Sequence, residues 1–272
     1  MESKQKMTNL LVELQTEELP PKALRKLSEA FAEGVQKSLD EAHFLGEGSK
    51  PKAYGAPRRL AVHITNVRAV SPDETFRQKL VPVKVGIAAD GSATPALKKK
   101  MAALGIDCPV EKLERVNDGK NEQLVYEGVR PGSELAPALQ KALDYAVKHL
   151  PIPKVMTYQL ADGETTVSFV RPVRYLTALF GADVVPVELF GLKAGRTTRG
   201  HRFHTHDPIE IADADSYEAA MRAAFVEPCY DARRARIETE LKARAEALNA
   251  TPIMPDDLLE EVSALTEWPV IY

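Results

Sequence analysis

Two cysteines and one tryptophan in 272 residues, and no apolar run of the roughly 18 to 20 residues a membrane span needs, remove several protein classes at once. Cys108 and Cys229 are too few for a disulfide scaffold and form no C-x-x-C pair for zinc or dithiol chemistry. The opening MESKQKMTN is polar, with no apolar stretch behind it of the signal-peptide kind. The expectation is a cytoplasmic protein with reduced thiols and no membrane partner. Motifs that announce catalysis are missing too. There is no phosphate loop of the form G-x-x-x-x-G-K-S/T, no G-x-G-x-x-G after a strand and no G-x-S-x-G elbow. The pairs Glu17-Glu18 and Glu260-Glu261 read as helical neighbours pointing in different directions, unable to share a reacting atom. No catalytic residue, metal ligand or cofactor-binding residue is expected in this chain.

The patterning predicts a soluble α+β fold, with mixed or antiparallel sheet elements against amphipathic helices and a helical C-terminal part. NLLVELQ (9–15) has strand length, and RRLAVHITNV (58–67) alternates so that Leu60, Val62 and Ile64 share one face and His63 takes the other. Between them, Leu24, Leu27, Phe31, Val35 and Leu39 recur at helical spacing after Pro20-Pro21. A second helix is expected from Thr94 and Pro95 to Gly105, and a third carries Leu135, Leu139, Leu143 and Val147. Strands dominate from 165 to 203 and helices follow Pro208. Residues 1–7 read as a flexible start and 8–272 as one α+β region or two lobes, of about 8–160 and 165–272, hinged near Ala161–Glu164.

Charge is uneven. Arg171 to Arg202 holds six basic and two acidic residues, a local +4 in a chain of net charge −3. Such a patch is the electrostatic footprint of phosphate binding, or equally a solvated strand edge. Next to it, RTTRGHRFHTHDP (196–208) gathers His201, His204 and His206. Were this run a strand, His204 and His206 would share a face and His201 would oppose them, leaving two ligands where zinc needs three or four.

Six stretches in order resemble the N-terminal part of the bacterial glycyl-tRNA synthetase β subunit: LLVELQTEELPPKALRKL (10–27), GAPRRLAVHITNV (55–67), LPIPKVM (150–156), FVRPVRYLTALFG (169–181), TTRGHRF (197–203) and LLEEVSALTEWPVIY (258–272). The chain departs from the family where MTYQLADG follows I-P-K, and where a G-P pair is usual near Leu80–Val85. Of the three clustered histidines only His201 falls inside a family stretch. The resemblance implies a piece of a longer, cytoplasmic subunit in an α2β2 assembly. Its partners are then the α subunit, tRNA(Gly) and the remainder of β. ATP and magnesium belong to the α subunit, which makes the adenylate, and no cofactor belongs here.

On that reading Arg171, Arg174, Arg196, Arg199, His201 and Arg202 are candidates to line one surface touching tRNA backbone, with Arg58 and Arg59 as weaker candidates. The competing expectations are a module docking the α subunit or the rest of β, with Trp268 as an exposed edge, and a free-standing tRNA-editing hydrolase.

Overall fold

The computed structural model describes residues 6–117, 119 and 121–272. Of the expected flexible start, residues 1–5 lie outside the described residues, whereas Met7 already opens the first strand. The chain runs β1 (Met7–Thr16), α1 (Pro21–Glu41), β2 (Pro51–Ala56), β3 (Arg59–Arg68), β4 (Glu74–Pro82), α2 (Val83–Gly86), α3 (Pro95–Ala103), β5 (Glu114–Asn117), β6 (Glu122–Arg130) and α4 (Leu135–Lys148). It continues with β7 (Met156–Gln159), β8 (Thr166–Phe169), β9 (Val173–Phe180), β10 (Asp183–Val184), β11 (Glu188–Leu189), β12 (Leu192–Lys193), β13 (Thr197–Arg199) and β14 (Pro208–Glu210). Three helices follow: α5 (Tyr217–Ala223), α6 (Tyr230–Ala247) and α7 (Asp256–Leu265). This is the α+β class expected from the patterning.

Contacts divide the chain into two units, one made of the residues up to Ser71 with Ser133–Tyr272, the other of Pro72–Gly132. The larger unit is built on an antiparallel sheet in the order β10-β9-β1-β3-β2. A break at 161–164 is absent, because β9 pairs directly with β1 along Leu10–Thr16 and ties both sides of that turn into one sheet. No linker composition marks the actual boundary. At it, the Ser71 N–H donates to the Ser133 carbonyl at 2.9 Å, so entry and exit of the intervening segment stay together.

Both faces of the sheet are covered, which is why β1 reads as a continuous apolar run rather than an alternating one. Leu10, Val12 and Leu14 join Leu60, Val62 and Ile64 in the core beneath α1 and α4. Leu11, Ala61 and Leu179 face the other way, against Ile211, Tyr217, Met221 and Val226. Helices α1 and α4 approach closely at Gly34, where a Cβ would stand 2.9 Å from the Ala146 Cα. The smaller unit pairs β4-β6-β5 and packs Leu80, Leu113 and Leu124 with Leu97 and Met101 of α3. Thr94 caps α3 by accepting from the Leu97 N–H, as its sequence predicts. Among the described residues no helix is long and apolar enough to cross a membrane, and both cysteines are free.

Candidate functional site

The two arginines of the P-R-R-L-A stretch are internal, which corrects their place among the surface candidates. Arg59 is 0% exposed. It sits on β3 and donates from Nη1 to Glu13 Oε2 at 2.9 Å and from Nη2 to the Arg199 carbonyl at 2.7 Å. The hydroxyls of Thr198 and Tyr217 donate to the same Glu13 carboxylate, so a buried charge pair joins β1, β3, β13 and α5. Burial disfavours the Arg59 cation, but the charges of Glu13, Tyr217 and Glu267 with the Glu13 hydrogen bond together outweigh that and raise its pKa. Arg58 occupies the two-residue turn between β2 and β3 and borders the surface, but its guanidinium is engaged. Nε and Nη2 grip Glu267 at 3.0 and 2.9 Å, and Nη2 also donates to the Gly200 carbonyl at 3.1 Å. A fork spent on a buried carboxylate is unavailable to a phosphate.

Two further candidates are held apart from the rest. Arg196 donates to the carbonyls of Ala182, Ala212 and Ile211, fastening β13 to the turn between β9 and β10. Arg171 donates to the Val170 carbonyl at 2.8 Å and lies outside the cleft described next.

Arg174, Arg199 and Arg202 do come together. With Gln15, Glu17 and Tyr175 they line a cleft of about 400 Å³ at the end of β1. Arg174 Nε donates to Glu17 Oε1 at 2.8 Å and Arg202 Nη2 to Oε2 at 3.0 Å. Arg202 also lies 3.6 Å from Glu18 Oε1. Arg199 donates to Tyr175 Oη at 3.3 Å and to the His206 carbonyl at 2.8 Å. Partial burial pushes the Glu17 carboxyl up, but the hydrogen bonds and charges of Arg174 and Arg202 prevail and hold it below its usual value. The lining holds four arginines, Arg58 included, and one carboxylate; with Arg58 neutralised by Glu267, the other three leave the cleft positive. At its base Gln15 is only 4% exposed, and its Oε1 has no hydrogen-bond partner.

Glu17 is the residue sequence reasoning missed. It lies in the bend after β1 rather than on a helix, so Glu17 and Glu18 both reach Arg202. Five of the six family-like stretches scattered along the chain converge here. Leu19 of T-E-E-L-P bonds Pro57 of the next stretch, Glu17 bonds Pro172, Arg58 holds Gly200, and Glu267 of E-W-P holds Arg58.

The histidine run is a turn, not a strand: β13 ends at Arg199 and residues 202–204 bend. No group of three or more His, Cys, Asp or Glu able to hold a metal exists among the described residues. His201 Nδ1 accepts from the Phe203 N–H at 3.2 Å. Burial, with His204 and Arg58 nearby, lowers its pKa against the pull of Glu267, which favours the neutral ring. His201 and Phe203 border a second cleft, of about 290 Å³, that shares Arg58 and Arg202 with the first. Trp268 has partners within this chain, contrary to its expected role as a bare edge: the Arg236 guanidinium lies 4.5 Å from its ring centroid and Phe225 meets it edge-on.

A family model described as glycyl-tRNA synthetase beta subunit matches residues 10–272. The chain is 52% identical, over 96% of its length, to a glycine–tRNA ligase beta subunit from Janthinobacterium sp. (strain Marseille), and 50% identical over 96% to one from Dechloromonas aromatica (strain RCB). A third such subunit, from Nitrosomonas europaea, is 47% identical over 97% of the chain. The chain spans only 37 to 38% of the length of these relatives.

Proposed function

The chain belongs to the glycyl-tRNA synthetase beta subunit family, and from that membership we propose that it is a non-catalytic part of glycine–tRNA ligase that grips tRNA backbone through Arg174, Arg199 and Arg202. The single observation carrying this is the cleft that brings those three guanidiniums together, two of them on its one lining carboxylate, Glu17. Arginine forks suit phosphate oxygens, and such contacts position RNA without reading its sequence. ATP, magnesium and adenylate formation fall to an α subunit, and the assembly is the cytoplasmic α2β2 form that the family implies.

A second reading, assembly with the α subunit or the rest of β, is favoured by one helix face. Leu258, Val262 and Leu265 of α7 recur at four and three residues and are 52%, 38% and 61% exposed. The two surfaces adjoin at the second cleft, which Leu265 and Arg202 both line.

The test is a tRNA(Gly) titration of the assembled enzyme across a salt series of roughly 50 to 200 mM, with Arg174→Gln/Arg202→Gln against the parent. Loss of two phosphate contacts makes the log–log salt slope shallower by about two. These exposed bridges contribute only about 0 to 1 kcal/mol each, so the fold survives the change. An unchanged affinity and slope refute the reading.

A further inference from the structure

Beside the arginine cleft the G-H-R-F turn carries an array of rings for which the phosphate reading has no use. Phe203 is 76% exposed, an unusual position for one of only eight phenylalanines. Its ring centroid lies 6.0 Å from that of His201, which stands 4.4 Å from His204. His204 is 5.1 Å from Phe225, and Phe225 is 5.9 Å from Trp268. Arg236 covers the Trp268 end. The Phe203 end is open, and so is His204.

Phe225 adds an independent sign that the rings matter. It follows α5 in a helix-ending turn, its N–H bonding to the Arg222 carbonyl and the next N–H, of Val226, to Met221. Its φ is +58°, the left-handed position that glycine takes freely and a phenylalanine takes under strain. Phe190 shares that conformation, but its ring packs on the buried Phe169. The Phe225 ring is 41% exposed and buys no comparable interior contact. What the strained position supplies is a ring between His204 and Trp268.

We propose that Phe203, with His201, His204 and Phe225 behind it, is a stacking platform for unpaired bases of RNA whose phosphates lie in the adjoining arginine cleft. This rests on the tRNA-backbone reading and adds the ligand's chemistry: single-stranded nucleotides, recognised by ring faces. Aromatic side chains beside a cationic groove are the common means of holding unstacked bases. Arg202 lines both clefts and links the two halves of the site. Leu19, Pro57, Ala264 and Leu265 give the second cleft an apolar wall on which a base face can pack, and the three arginines of the adjoining cleft favour a nucleotide over an apolar peptide.

The test uses three probes on the full subunit: a single-stranded adenine hexaribonucleotide, an abasic hexamer with the same phosphates, and a blunt duplex with no unpaired nucleotide. The variants are Phe203→Leu, which keeps apolar volume and removes the ring, Phe203→Tyr, which restores a ring, and Arg174→Gln. Because Phe203 stands in solvent, none of its variants disturbs a core. Phe203→Leu is expected to weaken the hexaribonucleotide by about 5- to 100-fold, leaving the abasic chain, the duplex and the salt slope unchanged. Phe203→Tyr retains the parental affinity. If Phe203→Leu changes nothing while Arg174→Gln weakens all three probes, the platform is overturned and the phosphate reading stands. If the parent binds none of them, both fall. Loss of subunit assembly in Phe203→Leu with RNA binding intact makes this face a protein interface and also overturns the platform.

Discussion

Replacing Glu17 by glutamine removes a family-motif residue at the centre of the site, and the account predicts that RNA binding improves. Glu17 accepts from Arg174 at 2.8 Å and from Arg202 at 3.0 Å, so it competes with phosphate for both forks. A phosphate bridging the outer sides of those guanidiniums would stand about 6 Å from the carboxylate. Coulomb repulsion at that distance is about 0.7 kcal/mol at the dielectric of water and about 2.8 kcal/mol at an effective value of 20. With its side chain 34% exposed, Glu17 lies between these limits. The expected gain is therefore about 1 to 2 kcal/mol, or 5- to 30-fold in tRNA(Gly) affinity at low salt, shrinking as salt screens the site. Glutamine still accepts hydrogen bonds, so the arginines keep a neutral partner and thermal stability drops by no more than about 1 kcal/mol. Fluorescence titration of labelled tRNA(Gly) at two salt concentrations reads the effect. An affinity that falls would mean that Glu17 holds the arginines in place for some other partner, and would refute the competition argument.

Three other outcomes follow from the same geometry. Glu267→Gln leaves the Arg58 cation buried without its counter-charge, costing about 3 to 5 kcal/mol and lowering Tm by roughly 6 to 20 °C in calorimetry, while Arg58→Met/Glu267→Leu recovers much of it. Gly200→Ala forces a Cβ to 2.6 Å from the Ala224 Cβ and 2.8 Å from its carbonyl oxygen, so overpacking of about 1 to 3 kcal/mol and faster amide exchange at residues 200–205 are expected. In acid, Glu218 is held low: burial raises it, but Lys52, Tyr54 and Arg222 prevail. Asp215 is lowered by its bond from Asn9 and by His63. The unfolded chain takes up those protons first, so stability is full above about pH 4.5 and drains as the pH falls through the lowered folded values. Glu218→Gln flattens that acid limb in urea titrations.

Elements with a local signature were legible. The α1 stripe from Leu24 to Leu39, the Thr94 cap of α3 and the alternating face of β3 follow from spacing alone, because burial on one face imposes a period. The division of the chain was not legible. Pro72–Gly132 forms its own unit without any linker composition, and what defines it is the meeting of Ser71 with Ser133 across 62 residues. The candidate site was half legible. Arg174, Arg199 and Arg202 lie within the basic window, but nothing local says that Arg196 turns to backbone carbonyls while Arg199 turns to the cleft. Arg58 and Arg59 sit in a strand-and-turn motif whose carboxylate partners, Glu267 and Glu13, are 209 and 46 residues away. A long-range partner leaves no mark in a single sequence. Glu17 was misplaced because T-E-E-L-P precedes a helix so closely that its carboxylates read as the first turn.

The most direct measurement is an arginine footprint of the assembled ligase, in which a dicarbonyl reagent modifies exposed guanidiniums with and without saturating tRNA(Gly) and mass spectrometry locates the adducts. The account predicts protection at Arg174, Arg199 and Arg202 and none at Arg244, which is exposed on α6. Equal modification of Arg174 and Arg202 in the presence and absence of tRNA(Gly) would contradict it.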